Sequence, residues 1–311
     1  MPAPLSVAEA ADRYMRDYRG RDGSIHYRLE AFVARLGDKP LAEITDEDVL
    51  EVLRALETAP ARRYVGRDVD GRPVHKVRGG RSGATLNRYK STFSAMCSWA
   101  IKQRLVPKGW AHPCRGLPAW RESEGVVRFL DADERTRLLA AVRASSWPRL
   151  YVLVLMALTT GARRGELERL TWGDVDLARA TAMVRETKNG RPKVLVLVPG
   201  VVEALKPFRR QDERRFAKVA ERRVFHSERR PERVMEFTKH WRAALKAAGI
   251  KAFRFHDLRH SCASWLAQEG ASLLEIADVL GHKQLRMTQR YSHLTVQSKA
   301  ALISRVMGDL R

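Results

Sequence analysis

The 311-residue chain has only three cysteines and no run of eighteen apolar residues. Cys97, Cys114 and Cys262 are too far apart for a C-x-x-C metal or redox motif, so each is expected to be a small core residue in a reducing compartment. The longest apolar stretch, around residues 150–158, is too short to cross a bilayer. The opening MPAPLSVAEAADRYMRD carries charges where a secretory signal would be apolar. No P-loop, internal repeat or low-complexity tract occurs. These absences predict a soluble, cytoplasmic protein with no membrane partner.

Acidic residues are also in short supply. Fifty-eight Lys and Arg face 36 Asp and Glu, a formal net charge of +22. Residues 1–120 hold 21 basic and 14 acidic side chains, so both parts of the chain are basic and no single tail carries the excess. A polyanion that touches both parts accounts for this, and DNA is the first candidate. RNA, anionic lipid or simple solubility would give a similar balance.

The pattern along the chain is mainly helical. Ser6 with Glu9, Thr45 with Asp48, and Asp131 with Glu134 have capping-box spacing and predict helix starts. Helices are expected over 6–18, 24–36, 45–56 and 85–104, the last with Leu86, Tyr89, Phe93, Met96, Cys97 and Ala100 on one stripe. Between the third and fourth, a basic insertion at 61–80 carries Asp70-Gly71 flanked by valines, which suggests a small hairpin. Residues 106–125 are rich in Pro and Gly and read as a linker. The expected organisation is a helical domain over 1–105 and a second domain over 126–311. In the second, a helix over 150–159 stops at Gly161 and another begins around Ala162, with Arg163 in its first turn. A strand pair flanks Asn189-Gly190, and 209–223 looks like an exposed charged helix. Helices follow over 236–248, 257–268, 273–280 and 296–309.

Four segments of the second domain could carry chemistry. In TGARRGEL, Arg163 and Glu166 share a helical face, so the carboxylate can hold the guanidinium. Lys188 sits beside the Asn-Gly turn. In HDLRH, His256 opens a helix and Arg259 follows one turn later, with Leu258, Cys262 and Trp265 expected to face the core. A helix N-terminus there would favour an anion. In LGHKQLRMTQRYSH, His282 precedes Tyr291 by nine residues, and a tyrosine between Arg290 and Ser292 does not look like core. Taken singly, each has a plain structural explanation: a surface ion pair, a solubilising lysine, a capping histidine, a half-buried tyrosine.

In this order and spacing, the segments resemble the tyrosine site-specific recombinases of the phage-integrase type. The resemblance is strong over 126–311, while 1–104 match only in style the family's core-binding domain. It implies a mainly α fold with a small β-sheet in the C-terminal domain, and two domains closing as a C-shaped clamp on double-stranded DNA. It implies that Arg163 and Arg259 bind the scissile phosphate, with Glu166 supporting Arg163. His256 and His282 would assist, Lys188 would be the acid for the leaving oxygen, and Tyr291 the nucleophile. No metal and no cofactor are implied. Partners would be recombination sites, possible DNA-bending or directionality proteins, and further copies in a tetramer, with a C-terminal helix at 296–310 docking in trans. The insertion at 61–80 and the charged stretch at 209–233 look longer than usual for the family.

The chemistry agrees with the resemblance. A phosphodiester under attack gathers charge on its non-bridging oxygens, and two guanidinium groups can stabilise it as a divalent ion would. A 3′-phosphotyrosyl link keeps the phosphodiester energy, so no ATP is required. A type IB topoisomerase-like nicking-closing enzyme and a non-enzymatic architectural DNA-binding protein are the competing expectations. The complete residue set disfavours the second, and the helix beyond Tyr291 disfavours the first.

Overall fold

The computed structural model describes the chain apart from residues 1–3, 21, 68–69, 71, 124–127, 187–191, 296–299, 301–302, 305 and 308–311. For residues 62–67, 73, 75, 76, 78 and 295 it describes the backbone alone. Two compact units, Met1–Gly125 and Val126–Arg311, each enclose a core of their own.

The first unit packs four helices: α1 (Val7–Asp17), α2 (Ile25–Leu36), α3 (Asp46–Thr58) and α4 (Gly83–Lys102). The capping boxes at Ser6/Glu9 and Thr45/Asp48 form as their spacing predicts, each side chain accepting from the other residue's backbone N–H. Helix α4 starts two residues earlier than its apolar stripe suggests, because the Ser82 hydroxyl accepts from Thr85 N–H and sets the boundary. Leu86, Phe93, Met96, Cys97 and Ala100 are buried, and Phe32 of α2 stacks on Phe93 at 4.3 Å between ring centroids. The insertion after α3 is an antiparallel hairpin of β1 (Ala61–Arg67) and β2 (Pro73–Arg78), with Arg63 opposite Lys76 and a register irregularity between Tyr64 and Gly66. Gly71 of its expected turn lies outside the described residues. The Pro/Gly-rich segment expected as a linker is tied to this unit. Lys90 Nζ donates to the carbonyls of Leu117 and Pro118, and Asn87 Nδ2 to that of Trp120.

The second unit begins with α5 (Ala132–Arg143), opened by the Asp131/Glu134 box, and α6 (Arg149–Thr160). Helix α6 is apolar on nearly every side and forms the centre of the core. Gly161 ends it in the left-handed conformation at φ 59°. The short α7 (Arg164–Arg169) follows, so Arg163 is the cap residue before that helix and lies outside its first turn. A three-stranded antiparallel sheet comes next, in the order β3 (Val175–Asp176), β4 (Thr181–Val184), β5 (Lys193–Val196). It contains the expected pair plus one short strand; the tip with Lys188, Asn189 and Gly190 lies outside the described residues.

Helix α8 (Pro199–Arg215) carries the first part of the charged stretch, but the helix ends there and only the turn Val219–Glu221 is helical beyond it. The stretch reads as an exposed charged helix, but Asp212 within it is fully buried. Its carboxylate accepts from Arg149 Nη1 and Nη2 (3.0 and 2.7 Å) and from Trp172 Nε1 (2.7 Å), and His226 Nε2 lies 3.2 Å away. Arg149 also donates to Val224 O and to Glu228. A buried ion is tolerated only when its hydrogen bonds are filled in this way.

Helices α9 (Thr238–Ala247), α10 (Asp257–Gln268) and α11 (Leu273–Leu280) complete the unit, followed by 3-10 turns at Leu285–Met287 and Gln289–Thr295. The expected helix at 296–309 lies mostly outside the described residues; within it, Ala300, Ile303, Ser304, Val306 and Met307 are helical, and Ile303, Val306 and Met307 are exposed. Among the described residues no helix is long and apolar enough to cross a membrane.

Candidate active site

The site is built on Gly161. Its φ of 59° is open to glycine at little cost, and a Cβ there would lie 2.5 Å from Leu280 Cδ2. The bend delivers Arg163 in extended conformation. Glu166, buried to 2% exposure, accepts from Arg163 Nη1 (2.7 Å) and from Arg163 N–H (2.9 Å). One carboxylate thus fixes both the guanidinium and its backbone.

Helix α10 supplies the next group. Asp257 is buried and accepts from Arg254 through side chain and backbone, which anchors the start of the helix. His256 is the residue before its first turn, as the sequence suggests. Arg259 is 4% exposed and donates through Nη1 to Gly161 O at 2.6 Å. Leu258 and Cys262 are buried as expected; Trp265 is partly buried and donates to Leu130 O.

The last groups follow α11. Gly281 caps it in the left-handed conformation, and His282 comes next, with Nδ1 2.8 Å from Thr288 Oγ1. Tyr291 N–H donates to Thr288 O, so one threonine braces both residues. Tyr291 does not lie on a regular α-helix, nor at the surface. It sits in the 3-10 turn, is 1% exposed, and packs against Ala263, Ala267, Ile276 and Leu280. The three-residue period of the turn explains this: Thr288, Tyr291 and Leu294 share the inner face, while Arg290 points outward.

Three further residues join the cluster without having been singled out in the sequence. His260 Nδ1 lies 2.6 Å from Tyr291 Oη. Thr288 links His282 to Tyr291. Lys193, at the start of β5, is the third. Its Nζ is buried with no hydrogen-bond partner among the described residues, and a Cβ added to Gly281 would lie 3.2 Å from its Cδ. The sequence held a signal for Lys193: in KVLVLV, strand alternation turns Lys193 and Leu195 to one side and the exposed Val194 and Val196 to the other. Lys188 lies outside the described residues.

The electrostatics follow from burial of like charges. Burial and then the Arg259 charge lower the Lys193 pKa to about 8. Burial, then Arg163, lowers that of Arg259 to about 10. Burial, then Arg259, lowers that of His282 to about 4 and moves that of His256 in the same direction. Burial raises that of Tyr291 to about 12. Arg259 Nη2, like Lys193 Nζ, is buried without a partner among the described residues. Two orphaned cationic donors in one cluster are costly, and an anion bearing several acceptor oxygens would satisfy both.

Comparison with known proteins agrees. The model of the phage integrase family matches residues 128–298. A shufflon-specific DNA recombinase of Escherichia coli is 32% identical over 309 residues, covering 94% of this chain and 71% of the relative. Tyrosine recombinase XerA of Thermococcus kodakarensis is 32% identical over 234 residues, covering 72% and 80%. In fold, the chain is similar to the Tn1549 transposon integrase in complex with circular intermediate DNA (TM-score 0.68, 17% identity, 97% and 99% covered). It is also similar to a lambda integrase dimer bound to a core site (TM-score 0.65, 21% identity, 94% and 97% covered). The chain belongs to the phage integrase family, the tyrosine recombinases that transfer DNA strands in site-specific recombination.

Proposed function

We propose that this recombinase cleaves a DNA strand by attack of Tyr291 on the scissile phosphorus, forming a 3′-phosphotyrosyl link that a 5′-hydroxyl of another strand later reverses. Arg163, held by Glu166, and Arg259, held by Gly161, bind the non-bridging oxygens. His256 and His282, whose pKa values are lowered first by burial and then by the Arg259 charge, donate hydrogen bonds to the same oxygens as neutral rings. The leaving 5′-oxygen takes its proton from a lysine of the β4–β5 hairpin, Lys188 or Lys193. A lysine whose pKa falls to about 8 is well matched to that task. The two guanidinium groups supply the charge stabilisation, so the reaction proceeds without a metal ion or cofactor.

The observation that carries this reading is the pair of buried donors without a partner among the described residues, Arg259 Nη2 and Lys193 Nζ, in a cluster that also holds Arg163, His282 and Tyr291. Both basic units grip the duplex as a clamp, mostly through phosphates. The exposed Ile303, Val306 and Met307 dock on a neighbouring copy, joining four subunits for integration, excision or resolution.

The test is a duplex from the native recombination site, nicked just 3′ of the cleavage point so that the short fragment bearing the freed 5′-hydroxyl is lost, incubated with the protein in excess chelator. A covalent adduct is expected, and proteolysis should leave the oligonucleotide on the peptide containing Tyr291. Attachment to another residue, or no adduct, overturns the reading. Arg259→Ala should slow adduct formation by about 10²–10³-fold, the usual cost of one transition-state donor. A rate within threefold of wild type would remove Arg259 from the site.

A further inference from the structure

His260 follows Arg259 on α10 and lies one helical turn beyond His256, whose ring it meets edge-on at 5.2 Å. It touches the phenol directly, with Nδ1 2.6 Å from Tyr291 Oη. Burial comes first among the causes that lower its pKa to about 4, and the charge of His256 second. Arg290 and Arg254 act in the same direction, and Asp257 opposes them. The ring is therefore neutral at pH 7. Of the two ways to share one proton between a neutral phenol and a neutral imidazole, O–H donating to nitrogen is favoured, because the phenol is the stronger acid. That arrangement leaves Nδ1 as a bare lone pair aimed at the proton the phenol must lose.

We propose that His260 is the base that accepts the Tyr291 proton as the phenolic oxygen attacks phosphorus. In cleavage, the Oη–P bond forms while the Oη–H bond breaks, and the proton passes to His260 Nδ1. The P–O5′ bond breaks, and O5′ receives a proton from the hairpin lysine. In rejoining, a 5′-hydroxyl attacks and gives its proton back to the hairpin lysine, which cleavage left neutral, while the P–Oη bond breaks and the His260 imidazolium returns its proton to the departing phenolate. The bound phosphodiester helps: its negative charge offsets the surrounding cations and makes the imidazolium easier to form when substrate is present. This assignment rests on Tyr291 being the nucleophile.

Three variants of the full chain and two duplexes test it. In one duplex the bridging 5′-oxygen at the cleavage point is replaced by sulfur, a leaving group that needs no proton. His260→Ala and His260→Gln should bind the uncleaved duplex like wild type, yet form adduct about 10²–10⁴-fold more slowly on both duplexes. The amide of Gln can accept the phenol's hydrogen bond but cannot take up its proton at neutral pH. A wild-type rate for His260→Gln would make the histidine a positioning pin and overturn the proposal. Rescue by sulfur would place the residue on the leaving-group side and overturn it too, as would loss of duplex binding by both variants, which marks a structural role. Tyr291→Phe separates the two claims. If it still forms adduct, the nucleophile is wrong; if it is silent while His260→Gln is unimpaired, only the role of His260 falls.

Discussion

Tyr291→Phe is expected to form no covalent adduct on the nicked duplex while binding that duplex as tightly as wild type. The ring fills the same space among Ala263, Ala267, Ile276 and Leu280, so packing is conserved and only the hydroxyl is lost. That loss leaves His260 Nδ1 without its partner, a cost of about 1–3 kcal/mol to the folded unit, too little to unfold a domain of ordinary stability. The variant is thus a folded, binding protein without a nucleophile. Denaturing gel analysis of the adduct beside a band-shift titration of the uncleaved duplex reads both halves. An adduct in the phenylalanine variant would require another nucleophile.

Asp212→Ala should destabilise the second unit by about 3–5 kcal/mol, measured by urea unfolding. The substitution strips Arg149 of its two hydrogen bonds to a fully buried carboxylate and leaves a guanidinium at 1% exposure, with Val224 O and Glu228 as its remaining partners. It also orphans Trp172 Nε1. A loss under 1 kcal/mol would mean that water or rearrangement repairs the network. Acid should reach the same network in the wild type. Despite desolvation, the hydrogen bonds from His226, Arg149 and Trp172 lower the Asp212 pKa to about 2, below its ordinary value of 3.8. Stability from this group is therefore complete above about pH 4 and is lost as pH falls toward 2. Asp212→Asn should lack that part of the acid transition.

Much of the candidate cluster was legible in order and spacing: Arg163 with Glu166, His256 with Arg259, and His282 lie near one another in space. The misses have local causes. Tyr291 does not look like core between Arg290 and Ser292, yet the 3-10 turn buries it by setting Thr288, Tyr291 and Leu294 on one face. Lys193 was marked only by its alternation with Leu195 in a strand whose other residues are all apolar, a faint signal beside the Asn-Gly turn that points to Lys188 instead. Asp212 escaped because it stands in a run of polar and mostly charged residues, 209–215. Yet the apolar stripe Val201, Leu205, Phe208 of α8 runs at helical spacing straight to position 212, which is where the buried ion had to fall. In the first unit the caps set the helix starts correctly, since each depends on two residues three apart and on nothing distant.

The carbonyl of Gly161 holds one arginine, its peptide leads into the other, and the space where its side chain would stand is occupied by the residue that precedes Gly281 and His282. Segments more than a hundred positions apart therefore share a single mounting point. The two guanidinium groups should in consequence behave as one thermodynamic unit: removing the second after the first costs less than removing it alone, and a single methyl group at 161 would disturb all three segments at once.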